Sequence, residues 1–281
     1  MAHKWLALLT AALAIASAIP FSLAAEFSAP FANDKRWEQA RKDLAQGKAA
    51  EARAAFEELL RQYPNDADLH LFHGMALLRL RDPQTAILSI KRAIGINGEH
   101  VDARTLLGYV ELEIRGDIPA AIKEYRKVIE LRPNLADAHS NLAVALKKQG
   151  DLDGATASLN KALELKPDNV GALTTRGSVF AELGKWSEAR RDFEQALKLS
   201  PSDEGALYGL SQALREAKEY GAAQSALSEL ISRSGNFVYW LEWGRVVMIR
   251  YWWALLLVAI GWAAKGKLRG KFMKARTEAN G

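Results

Sequence analysis

Ala136 to Asn169 reads ADAHSNLAVALKKQGDLDGATASLNKALELKPDN, and this stretch decides the fold. His139, Leu142, Ala143 and Leu146 recur at helical spacing in its first half, and Ala155, Leu159 and Ala162 do so in its second. Pro167 then blocks any continuation of the second helix. The next stretch, Val170 to Asp203, carries Leu173, Gly177, Phe180, Ala189, Phe193, Ala196 and Pro201 at the corresponding places. A fixed period of two short helices indicates a tandem array, in which no unit buries its apolar face alone.

Working outward, Ala67 to His100 supplies His70, Gly74, Leu77, Ala86, Ile90 and Ala93, with Gly98 where a proline would stand. Val101 to Leu135 supplies Leu107, Gly108, Ala121, Tyr125, Val128 and Pro133, with one extra residue that falls in the turn Arg115 to Pro119. The pattern fades at the edges: Asn33 to Asp66 keeps Ala52, Phe56 and Pro64, and Glu204 to Phe237 keeps Leu207, Leu210, Leu214, Ala223 and Leu227. On these motifs the chain resembles the tetratricopeptide-repeat (TPR) family, whose 34-residue helix–turn–helix unit has this spacing. The resemblance implies an all-α TPR solenoid of about six helix pairs over residues 33–237, divided at 33–66, 67–100, 101–135, 136–169, 170–203 and 204–237.

The spacing has a packing reason. Small residues at Gly74, Gly108, Gly177, Ala86, Ala155 and Ala189 let the two helices of a unit approach, and Phe56, Tyr125, Leu159 and Phe193 fill the space beyond. Asp82-Pro83 and Asp117-Ile118-Pro119 cap and start second helices.

Charge is uneven. Residues 26–244 hold 29 basic and 32 acidic residues, so the body is slightly acidic and lacks the basic stripe needed for nucleic acid. The net charge of +5 belongs to the C-terminal end, where Lys265, Lys267, Arg269, Lys271, Lys274 and Arg276 follow one another. There is no cysteine, which removes disulfides and thiol chemistry.

Both ends are apolar. Residues 1–24 have the layout of a secretory signal: Lys4, an apolar stretch from Trp5 to Ile19, and Ser22 and Ala24 at the small-residue positions. Residues 25–32 read as a linker. Residues 238–264 read as a transition and a transmembrane helix, Val246 to Ala264, which would rise about 28 Å with Arg250 snorkelling to the nearer surface; without Val246 to Arg250 the run left, Tyr251 to Ala264, suits a buried capping helix or an interfacial one instead. The basic tail, 265–281, then biases its side toward the cytoplasm. Together these predict a bacterial inner-membrane protein with its repeats in the periplasm and its C-terminus inside.

No phosphate loop, serine elbow or zinc-helix motif occurs, so no catalytic residue, metal or cofactor is expected. His70 and His73 share a helix but have no third ligand and fall at packing positions. The resemblance implies that partners bind along the groove of first helices. Its candidate residues here are Leu71, Met75 and Leu78, then Thr105, Tyr109 and Leu112, then Ser140, Val144 and Lys147. The apolar ones suit an amphipathic helix or an extended peptide. The expectation is a membrane-tethered scaffold or adaptor for protein or peptide partners, serving assembly of an envelope or secretion complex. The alternative is a non-catalytic subunit that presents substrate to a membrane enzyme complex for polysaccharide export or cytochrome maturation.

Overall fold

The computed structural model describes residues 34–278, all-helical among these, in two compact units divided after Pro167. The expected signal, residues 1–24, and the linker, 25–32, lie outside the described residues.

The first unit holds four helix hairpins. These are α1 (Lys35–Ala45) with α2 (Ala49–Gln62), α3 (Ala67–Arg79) with α4 (Pro83–Ile96), α5 (Val101–Tyr109) with α6 (Ile118–Leu131), and α7 (Ala136–Gln149) with α8 (Leu152–Leu165). The second holds α9 (Val170–Glu182) with α10 (Trp186–Leu199), α11 (Glu204–Glu216) with α12 (Tyr220–Ser234), and a single long helix, α13 (Phe237–Glu278). Side-chain acceptors start most helices: Asp66, Asp82, Asp117, Asp151, Asn169 and Asp203 each accept from a backbone N–H within the first turn.

Each hairpin closes in the same way. One or two residues past helix A the chain takes a positive φ, and the next residue donates its N–H back across the turn. Lys48, Asp82, Asp151, Lys185 and Glu219 donate to the carbonyls of Asp43, Leu77, Leu146, Phe180 and Leu214, at 2.8 to 3.0 Å and always five residues back. Asp117 instead reaches Glu111, six residues back, at 2.8 Å. The extra residue of the third repeat therefore does not lengthen the turn, as the spacing suggested. It is absorbed inside the helix as a π turn, Val110–Arg115, which leaves Gly116 and Asp117 in the usual closing geometry.

The helix pairs approach where glycine permits it. A Cβ on Gly74 would come within 2.8 Å of Ile90, and one on Gly108 or Gly177 within 2.7 Å of the ring of Tyr125 or Phe193. The first unit's core begins with an aromatic cluster, Trp37 lying edge-on to Phe72 at 4.8 Å between centroids with Phe56 beside both. It continues unbroken to Val110.

Helix α13 corrects the reading of the C-terminal apolar segment. Its first third packs on α11 and α12: Val246 is 1% exposed in a cluster with Leu207, Leu214, Leu227 and Leu230. Arg250 does not snorkel away, since its Nη1 donates to Gln224 Oε1 at 2.7 Å. Val246 and Arg250 are thus held by the repeat body, and the apolar run left over, 251–264, rises only about 21 Å against a hydrocarbon layer of about 30 Å. Among the described residues no helix is long and apolar enough to cross a membrane. Most side chains of 255–264, and all of those after Lys265, lie outside the described set.

Candidate functional site

The nine groove residues expected from the repeat all lie in the first unit, and they divide into two groups. Leu71, Met75, Leu78 and Leu112 are buried, the first three within the continuous core cluster. Thr105, Tyr109, Ser140, Val144 and Lys147 are half-buried. Two of these turn back on their own helices, Thr105 Oγ1 donating to the Val101 carbonyl at 2.9 Å and Ser140 Oγ to the Ala136 carbonyl at 3.2 Å. Burial, with the Glu113 charge behind it, holds the Tyr109 hydroxyl above its ordinary pKa, so it stays a neutral donor. The four buried members therefore serve the core, and the five half-buried ones offer a shallow surface.

The histidines have structural partners. His70 Nε2 lies 2.9 Å from the Pro64 carbonyl and His139 Nε2 lies 2.8 Å from the Pro133 carbonyl. Arg104, at the equivalent repeat position, reaches the Gly98 carbonyl at 2.8 and 2.9 Å. A side chain in the first turn of helix A thus ties down the loop that precedes it in three successive repeats. His73 points inward instead, with Nδ1 2.9 Å from Ser89 Oγ and Nε2 3.5 Å from Glu57. Among the described residues no group of three His, Cys, Asp or Glu side chains is placed to hold a metal ion.

The second unit carries a more open site. A cavity of about 380 Å³ lies between α9 and α11, with Phe193 and Trp186 from α10 closing it. Thr174 and Ser178 line it from α9, and Tyr208 and Gln212 from α11; these four occupy the same repeat positions as Thr105, Tyr109, Ser140 and Val144. Its volume falls within the range that holds a small ligand or a few side chains. The space exists because α11 carries Gly205 and Gly209. A Cβ at Gly205 would sit 3.2 Å from Thr174, and one at Gly209 would overlap the Phe193 ring. Trp186, Phe193, Gly205 and Gly209 were not among the expected site residues. A signal for Gly205 does exist in the sequence: the second position of the first four repeats is Asp34, Asp68, Asp102 and Asp137, but that of the last two is Gly171 and Gly205.

The cavity's surroundings are fixed by polar pairs. Arg176 and Asp192 join α9 to α10, and Arg190 joins α10 to Glu219 at the start of α12 at 2.7 Å. Arg215 on α11 meets Glu242 on α13 at 2.9 Å, and Tyr208 stacks on Tyr239 with centroids 5.5 Å apart. Helix α13 therefore packs on α11 next to the Tyr208 wall of the cavity.

Comparison with known proteins agrees with this geometry. Family models described as tetratricopeptide repeat match residues 38–100, 174–236 and 136–169, and one described as TPR repeat matches 111–150. No curated protein matches the chain. Among solved structures, MamA is 25% identical, over 58% of this chain and 94% of that one, with a TM-score of 0.52. PilF of Pseudomonas aeruginosa is 14% identical over 75% of this chain and 96% of its own, with a TM-score of 0.67. PilW, described as a widely conserved type IV pilus biogenesis factor, is 18% identical over 75% and 96%, with a TM-score of 0.66. At these identities PilF and PilW share the fold alone.

Proposed function

The chain belongs to the tetratricopeptide-repeat family, and on that premise we propose that it is a scaffold that holds protein partners at a bacterial envelope membrane. The observation that carries the reading is the α9–α11 cavity, floored by Phe193 and rimmed by Thr174, Ser178, Tyr208 and Gln212. An aromatic floor with a few hydroxyl and amide groups around it suits an apolar side chain presented by an extended or helical peptide. The Glu182 carboxylate also lines the cavity and adds a polar contact for such a peptide.

Placement at the membrane draws on both ends of the chain. Residues 1–24 have the layout of an export signal, which supports a location of the repeats outside the cytoplasm. Along one side α13 exposes Leu241, Met248, Trp252 and Trp262, by 56 to 82%, ahead of six cationic residues. Apolar surface of this size, next to a cationic run, is the means of attachment.

A photoreactive residue at Ser178 or Gln212, activated in intact cells, should give a discrete covalent adduct with one partner, whereas the same residue at exposed Ser187 should not. Equal labelling from all three sites would end the groove reading. Trp252→Glu with Trp262→Glu, both exposed positions, should take the chain out of the membrane fraction, and its retention there would end the tether.

A further inference from the structure

Helix α13 packs on the second unit with one face only. Tyr239, Trp243 and Val246 form the packed side with Arg250; Trp243 Nε1 donates to Ser228 Oγ at 3.1 Å. On the opposite side, at spacings of four, seven and four residues, stand Phe237, Leu241, Met248 and Trp252. These spacings keep all four on one stripe of an α-helix. They are exposed by 56 to 70%, although a repeat body normally hides side chains of this kind.

The charge around the stripe points to what covers it. Residues 237–278 carry eight Lys and Arg against two Glu. One of the two, Glu242, is already engaged by Arg215 at 2.9 Å and Arg245 at 3.8 Å. Arg245 and Lys265 face solvent beside the apolar residues. Trp252 ends the stripe, and Trp262 beyond it is 82% exposed. An apolar stripe with tryptophan and a cationic border matches an anionic lipid headgroup layer, where indole rings settle and Lys and Arg meet phosphate. A second copy of this chain would bring the same cations against each other.

We propose that Phe237, Leu241, Met248 and Trp252 seat the second unit on an anionic lipid surface, so that α13 lies along the bilayer rather than through it. This rests on the membrane attachment above and assigns to it an orientation and a lipid class. It also accounts for an apolar run that is too short to cross once Val246 and Arg250 are held by the repeats.

Because the chain has no cysteine, single labels report cleanly. The full chain with Leu241→Cys or Met248→Cys, carrying an environment-sensitive fluorophore, should brighten and shift to the blue with phosphatidylglycerol–phosphatidylcholine vesicles and stay unchanged with phosphatidylcholine alone. A label at exposed Ser225→Cys on α12 should stay unchanged with both. Leu241→Glu with Met248→Glu should weaken vesicle binding about tenfold without moving the melting temperature. Vesicle binding with a silent label at Leu241 and Met248 would overturn the orientation and leave the attachment standing. No binding to either vesicle would overturn both. Brightening on concentration without lipid would overturn the proposal in favour of a second copy, and equal response to both vesicles would overturn the lipid class.

Discussion

Arg176 and Asp192 face each other in a two-pronged pair between α9 and α10, Nε to Oδ2 at 2.7 Å and Nη2 to Oδ1 at 2.8 Å, with the carboxylate 6% exposed. The guanidinium also lies 5.8 Å from the centre of the Phe180 ring. In the second repeat the same two positions hold His73 and Ser89, joined by a single contact. The pair is therefore a stronger version of a link that this fold places between its helices. Removing Asp192 alone strands a cation that keeps part of its solvent contact, so Asp192→Ala should cost about 2 kcal/mol. Arg176→Met with Asp192→Leu should cost clearly less than the two single changes together. Chemical denaturation of the four chains in a double-mutant cycle checks this, and additive losses would contradict it.

Two hairpins close with the wrong residue for their backbone. Arg81 and Lys218 adopt φ of 62° and 63°, where Gly47, Gly116, Gly150 and Gly184 stand at the equivalent points. Both side chains are exposed, so a substitution there removes backbone strain and little else. Arg81→Gly and Lys218→Gly should each stabilise the chain by about 0.5 to 1 kcal/mol, with the greater freedom of glycine in the unfolded chain already offset. The urea midpoint reports the gain, and a lower midpoint would refute it.

Burial holds the His73 imidazole below its ordinary pKa, against the upward pull of Glu57, with His70 and Arg53 adding to the depression. The folded state therefore resists protonation that the unfolded chain accepts. The stability from neutral His73 is complete above the unfolded pKa of about 6.5 and is lost as pH falls from there through the lower folded value. Thermal melting should thus drop between pH 7 and pH 5 more steeply in the natural chain than in His73→Gln. Parallel curves would show that other groups carry the pH dependence.

Gly209 sits under the Phe193 ring at the floor of the α9–α11 cavity. Gly209→Ala forces that ring outward or α11 away, which should cost about 1 to 3 kcal/mol and narrow the cavity. Partner crosslinking from Gln212 should fall in this variant at temperatures where it remains folded. Undiminished crosslinking would separate the cavity from partner capture.

The sequence carried the repeat, since glycine, alanine and proline spacing expresses how closely two helices lie and where each stops. It did not express how deep the groove side chains sit: Leu71 and Met75 obey the groove spacing yet belong to the core, because neighbouring helices decide coverage. The cavity was hidden for a related reason, Gly205 and Gly209 reading as weak helix formers until Phe193 is placed against them. Val246 and Arg250 were read as part of a membrane segment because an apolar run looks the same whether its neighbour is lipid or Leu227.

The π turn at Val110–Arg115 works as an expansion joint. One residue added to a straight α-helix turns everything after it by about 100°. Here the added residue is taken up within six residues, and Asp117 meets its carbonyl as though nothing had been inserted. Each hairpin that locks its own exit in this way confines such an error to itself. Chains of this architecture can then gain or lose a residue in one unit while the units beyond keep their phase.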